Sequence, residues 1–158
     1  MPQRPKLPAL DPAALAPQIG SDYPRPFDRP CASRERRSLG DPLDLKQFGV
    51  NLLTLPPGAW SSQRHWHAEE DEFVYVLDGE VVLITDRGEQ CLGPGMAAGF
   101  PAGKPDGHHL INRSDRPALV LEVGTRTKRE RAEYSDIDMK VEEIDGISRY
   151  MRKNGEPY

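Results

Sequence analysis

A net basic charge is absent from this chain, and histidine, cysteine and long apolar runs are scarce; each lack removes a class of function. Its 158 residues carry 21 Lys+Arg against 25 Asp+Glu, a formal net charge of −4, so there is no basic footprint for nucleic acid. No apolar run approaches the roughly 18 to 20 residues that span a bilayer. The first residues lack the apolar core of a secretory signal. A cytoplasmic protein with neither membrane nor nucleic-acid partners is the expectation. Cys31 and Cys91 lie in different segments without C-x-x-C spacing, which does not indicate a disulfide framework, and Cys91 reads as a small strand residue. The length suits one domain with a real core.

Histidine is the scarcity that informs most. There are only 4, and all fall in two short stretches, His65 and His67 around Trp66 and then the pair His108 and His109. Glu72 follows the first pair closely. Imidazole nitrogens and a carboxylate oxygen are the ligand set of a mononuclear Zn, Fe, Mn, Ni or Cu centre. Side chains alternate across a strand with period two, so His65 and His67 share a face and Trp66 points away. Residues 68–71 make a tight connection, and Glu72 opens the next strand. The second histidine pair belongs to a distant strand brought alongside, as a closed barrel requires.

Three segments differ in composition. Residues 1–44 hold 9 of the 16 prolines and little hydrophobic periodicity, so they read as a proline-rich N-terminal arm. Asp11 before Pro12 is an N-cap and first position for one short helical turn. Leu7, Leu10, Leu15, Ile19, Tyr23 and Phe27 give the arm apolar groups with which to dock. Residues 45–125 change to short strands punctuated by turn signals such as Pro56-Pro57-Gly58, Asp78-Gly79 and Gly93-Pro94-Gly95, the pattern of an all-β sandwich or barrel. Residues 73–77, 81–84 and 118–123 are apolar on both faces, which a sheet with one wet side does not satisfy. The arm, the C-terminal segment or a second subunit must cover the outer face, and a homodimer is expected. Residues 126–158 read as a charged C-terminal extension packing on the barrel. There Ile137, Met139 and Val141 alternate with Asp138 and Lys140 as a strand, and residues 147–151 lie between two turn signals.

The histidine and glycine spacing resembles the paired motifs of the cupin superfamily. The first, G-x5-HxH-x3,4-E-x6-G, is carried by Gly58, His65, His67, Glu72 and Gly79 with one extra residue in the first gap. The second, G-x5-PxG-x2-H-x3-N, is carried by Gly95, Pro101, Gly103, His108 and Asn112 with two extra residues before the histidine. The resemblance spans about residues 45–125 and is nearest to small single-domain bacterial cupins of the conserved-barrel, type-2 kind. It implies an all-β double-stranded β-helix, a jelly-roll barrel, to which the arm and the C-terminal strand segment are appended. It also implies one divalent ion per chain, Fe, Mn, Zn or Ni, held by His65, His67, Glu72 and His108. The three-residue spacing to Asn112 selects His108, leaving His109 facing outward in a packing role. No internal repeat is present, which argues for one barrel.

Three imidazoles and one carboxylate leave an octahedral ion with open positions, the mark of a working site. Strand parity nominates Ser61, Gln63, Val74, Val76 and Leu110 as cavity wall, with Phe100 closing one side. The pocket so inferred is small and apolar and has no separate carboxylate or lysine to act as general base. Asn112 reads as satisfying backbone groups beside a turn. Two function classes follow. One is a metal-dependent enzyme acting on a small oxygenated molecule, as dioxygenase, lyase, decarboxylase or isomerase, with two-oxygen chelators or compact sugar derivatives as substrates. The other is a non-catalytic small-molecule-binding or sensor cupin. No helix-turn-helix pattern precedes the barrel, which disfavours a self-contained transcription factor.

Overall fold

Turn residues divide the chain into strands too short to span more than one wall of a barrel. The computed structural model describes residues 8–158, and among these there is no α-helix and no helix long and apolar enough to cross a membrane. The strands are β1 (Gln18–Ile19), β2 (Glu35–Ser38), β3 (Phe48–Leu55), β4 (His65–His67), β5 (Glu72–Asp78), β6 (Val81–Thr85) and β7 (Gly88–Leu92). They continue as β8 (Ala97–Phe100), β9 (His109–Ile111), β10 (Ala118–Thr125), β11 (Arg129–Tyr134), β12 (Lys140–Ile144) and β13 (Ile147–Met151). One wall is a sheet of order β1-β2-β3-β10-β5-β8; the other combines β13-β12-β11-β4 with β7-β6-β9. The isolated bridge His65↔His108 links the two parts of the second wall, and Trp60↔Ile111 ties the segment before β4 to β9. The result is the all-β double-stranded β-helix.

Leu53, Leu55, Val74, Val76 and Val120 from the first wall meet Leu83 and Leu110 from the second in the core. Full burial of each such side chain stabilises by about 1.5–3 kcal/mol. At the β5–β6 turn Gly79 has φ +74, and a Cβ there would lie 2.7 Å from Ala118 Cα and from the Pro117 carbonyl oxygen. Only glycine meets both demands.

The segment 1–44, read from its prolines as a docked arm, is instead partly woven into the first wall. β2 runs antiparallel to β3, placing Arg36 opposite Leu53 and Ser38 opposite Asn51. Edge hydrogen bonding, which composition does not display, overrides the proline signal here. The expected helical turn forms at Pro12–Ala14, where Asp11 Oδ1 accepts the Ala13 N–H at 2.9 Å. Leu7 lies outside the described residues. Ile19 does not dock: it sits in a two-residue edge strand and is 65% exposed. Tyr23 packs edge-on against Tyr134 and Tyr150, and Phe27 against Tyr158.

The C-terminal extension also completes a sheet. In β11 burial alternates, with Glu130, Ala132 and Tyr134 inward and Arg129 and Arg131 outward. Its charged composition concealed this strand. The strand expected at 137–141 begins only at Lys140, because Met139 N–H bonds back to the Ile137 carbonyl in a turn at 2.9 Å. β13 occupies the expected residues.

Candidate metal centre

Register brings the sequence-nominated histidines together. His65 and His67 alternate with Trp66 on β4, and the His65↔His108 bridge puts both partners' side chains on one face. Glu72 opens β5 on the facing wall. His108 Nε2 lies 2.5 Å from Glu72 Oε2, His67 Nε2 3.3 Å from Glu72 Oε1, and His65 Nε2 3.6 Å from Glu72 Oε2. The Nε2 atoms of His65 and His67 are 3.1 Å apart. His65 Nδ1 lies 2.8 Å from the Gln63 carbonyl, to which it donates its proton, so its Nε2 carries a lone pair. Lone pairs and carboxylate oxygens converging this closely fit a divalent cation. His65, His67, Glu72 and His108 are the residues that would hold it.

Electrostatics prepares the same state. Burial alone would raise the Glu72 pKa, but the imidazoles around it, His108 foremost, outweigh that and hold the carboxyl well below its ordinary range. Burial pushes His108 down, keeping that imidazole neutral, whereas at His67 the Glu72 carboxylate outweighs burial and raises the pKa. An ionised carboxylate and neutral imidazole are the forms that ligate a metal. Phe100 stacks flat on His108 with centroids 3.6 Å apart and fixes the plane of that ring.

His109 faces the opposite side of β9, yet it is not turned to solvent. It is 4% exposed, its Nδ1 lies 2.9 Å from the Ser62 carbonyl, and its ring meets Trp60 edge-on. The outward expectation is corrected because the segment leading into β4 folds over that face. Asn112 is fully buried; its Nδ2 donates to the Leu55 and Arg116 carbonyls and its Oδ1 accepts from Ser114, closing a turn as expected.

The cluster opens into a cavity of about 820 Å³. Ser61, Val74, Phe100 and Leu110 line it. Val76 lies beneath in the core, and Gln63 turns away to donate to the Phe27 carbonyl at 2.8 Å. The expected small apolar pocket is not what the fold builds. Directly opposed residues on antiparallel strands share a face, so β2 contributes Arg36, β10 Glu122, β11 Tyr134 and β13 Tyr150 to the wall, and the loop before β5 adds Glu70. These groups come largely from the segments flanking residues 45–125, whose fold role the motifs do not encode. A second cavity of about 520 Å³ lies beyond Phe100 and His108, with Arg87 and Lys104 on its wall.

One buried acid behind the cluster had no sequence signal beyond β11 alternation. Glu130 Oε1 accepts backbone N–H groups from Ala68, Glu69 and Arg131 at 2.9, 3.2 and 2.7 Å, and lies 3.9 Å from His67 Nδ1. It fixes the loop that spaces His67 from Glu72.

The model of the cupin domain family matches residues 51–124. A crystal structure of a sugar phosphate isomerase from a cupin superfamily, from Silicibacter pomeroyi, is 48% identical over 96% of this chain and 96% of its own, with a TM-score of 0.92. The chain belongs to the cupin superfamily. This cupin is also similar to a structure from Acidithiobacillus ferrooxidans named for the same activity, at 27% identity over 80% of this chain and 81% of that one, with a TM-score of 0.73. With the polyketide cyclase RemF of Streptomyces resistomycificus, at 22% identity and a TM-score of 0.61 over 76% of this chain and 80% of that one, it shares the fold. A search of curated proteins finds no match.

Proposed function

We propose that this cupin is a metal-dependent isomerase of sugar phosphates. The observation that carries the reading is the group His65, His67 and Glu72, with His108 against Glu72, opening into a polar cavity that also bears arginine. Likeness to the Silicibacter pomeroyi isomerase across nearly the whole of both chains supports it. A bound divalent ion supplies a Lewis acid for the carbonyl and hydroxyl oxygens of an open-chain sugar. The remaining tasks fall to side chains. Burial raises the Tyr134 pKa well above the ordinary value and keeps its hydroxyl neutral, able both to donate and to accept a proton in a hydrogen bond. Glu70 Oε1 is fixed by the Thr127 N–H and hydroxyl at 2.8 and 3.0 Å. Its second oxygen is left to carry a proton from the carbon beside the carbonyl to the carbonyl carbon, while the Tyr134 hydroxyl gives its proton to the carbonyl oxygen and takes the proton of the neighbouring hydroxyl. The volume matches that of small-molecule sites, about 300–1,000 Å³.

The test is to load the protein anaerobically with Fe(II), Mn(II), Ni(II) or Zn(II) and follow aldose and ketose phosphates by NMR in D2O. Interconversion with deuterium entering at the exchanged carbon is expected with at least one metal. Consumption only in the presence of oxygen would replace the reading with a dioxygenase. Tight binding of every compound without turnover would replace it with the non-catalytic binder.

A further inference from the structure

The cavity wall holds a buried cation that the metal cluster does not use. Arg34 precedes β2, is only 7% exposed and lines the same cavity as His65 and Glu72. Among the described residues no carboxylate lies within ion-pair distance of it. The adjacent carboxylate, Glu122, is occupied by Arg36 through two hydrogen bonds of 2.8 and 2.9 Å. Arg34 Nε donates to the Gly20 carbonyl at 2.9 Å and Nη1 to the Ser61 carbonyl. Both acceptors are neutral, so two of the five guanidinium donors anchor the group and its charge stays uncompensated. Next to Gly20, the Ser21 Oγ is buried without a hydrogen-bond partner and lines the cavity too.

Burying an unpaired charge and an unpartnered hydroxyl is costly, and a fold retains such groups where a ligand completes them. Burial, then the neighbouring Arg36 charge, lowers the proton affinity of Arg34. β2, β3, β10 and β5 are successive neighbours, and Arg34, just before β2, lines one cavity with Glu72 on β5. With side chains reaching inward from both, a ligand bearing a phosphate a few carbons from its metal-seeking oxygens bridges the gap.

We propose that Arg34, with the Ser21 hydroxyl beside it, binds the phosphate monoester of the substrate and so directs the sugar end toward His65, His67, Glu72 and His108. The identity of the substrate rests on the isomerase reading above, but phosphate binding by Arg34 does not require turnover. A purely structural role, in which Arg34 only ties residue 20 to residue 61, would leave phosphate affinity untouched in any variant that folds.

The experiment uses calorimetry on the metal-loaded full chain with ribose 5-phosphate, ribose and inorganic phosphate as probes. Loss of hydrogen bonds to a charged group predicts that Arg34→Gln weakens ribose 5-phosphate and phosphate about 10- to 100-fold while ribose affinity and metal content stay constant. Ser21→Ala is expected to give a smaller loss of the same kind, and Arg113→Gln, at a surface pair with Glu89, none. Equal phosphate affinity in wild type and Arg34→Gln overturns the proposal, as does absence of phosphate binding in the wild type. Should Arg34→Gln fail to fold, a crystal structure of wild type with ribose 5-phosphate decides: phosphorus against the Arg34 guanidinium supports the site, and phosphorus beside Arg87 and Lys104 in the second cavity overturns it. Turnover of sugar phosphates indifferent to Arg34→Gln would sink this site alone. Arg34-dependent binding without turnover would sink the isomerase alone.

Discussion

At the residue scale, paired histidines one position apart have opposite fates. His108 points at Glu72, while His109 donates to Ser62 and packs on Trp60. Alanine at His65, His67, Glu72 or His108 is expected to lower metal content, measured by elemental analysis. His109→Phe should keep the metal yet lose about 1–3 kcal/mol of stability in urea, since the Ser62 carbonyl is left unpaired. Full metal in His108→Ala with loss in His109→Phe would reverse the register. Glu130→Gln should cost about 1.5–3 kcal/mol, because a charged acceptor holding three backbone donors is weakened. An unchanged denaturation midpoint would show that a neutral amide oxygen holds those three donors as well as the carboxylate does. The cluster of His65, His67 and Glu72 was legible in the sequence because alternation and motif spacing are local. Arg34, Glu70 and Glu130 were not legible as site residues, since their placement depends on strands paired far along the chain.

At the element scale, β4 is the hinge of the site, since it joins β11 on one edge and meets His108 on the other. Gly107 guards that junction: a Cβ there would fall 1.9 Å from Ser135 Oγ and 3.0 Å from Ser135 Cβ. Gly107→Ala is therefore expected to lower the melting temperature and loosen metal binding, with a cost of about 1–3 kcal/mol from overpacking. Ser135→Gly in the same chain should restore both, and failure of that rescue would place the fault in the backbone of residue 107 instead. Strands β5, β6 and β10 could be read from apolar runs between turn residues. Strand β11 could not, because alternation of buried Glu130, Ala132 and Tyr134 with charged neighbours resembles a solvated segment until β4 and β12 are in place.

At the scale of the whole molecule, the outer face of the six-stranded sheet still carries exposed Phe73 and Leu77, at 42% and 43%. Apolar surface on strands of this kind favours burial, and the prediction is a homodimer through this face. Light scattering should give twice the chain mass for wild type and the monomer mass for Phe73→Glu or Leu77→Glu; a monomeric wild type would remove the prediction. The sequence by itself determined the all-β class and the cupin membership, and it nominated His65, His67 and Glu72, which the fold brings together, because period-two alternation and short turn signals act over a few residues. Only the tertiary structure decided that the proline-rich segment becomes strand β2, that the charged extension completes the second wall, and that the cavity is polar. Those outcomes depend on backbone pairing between positions such as Arg36 and Leu53 or Ala132 and His67. A strand's partner is set by where loops bring its edge, and no local pattern of residue types records that.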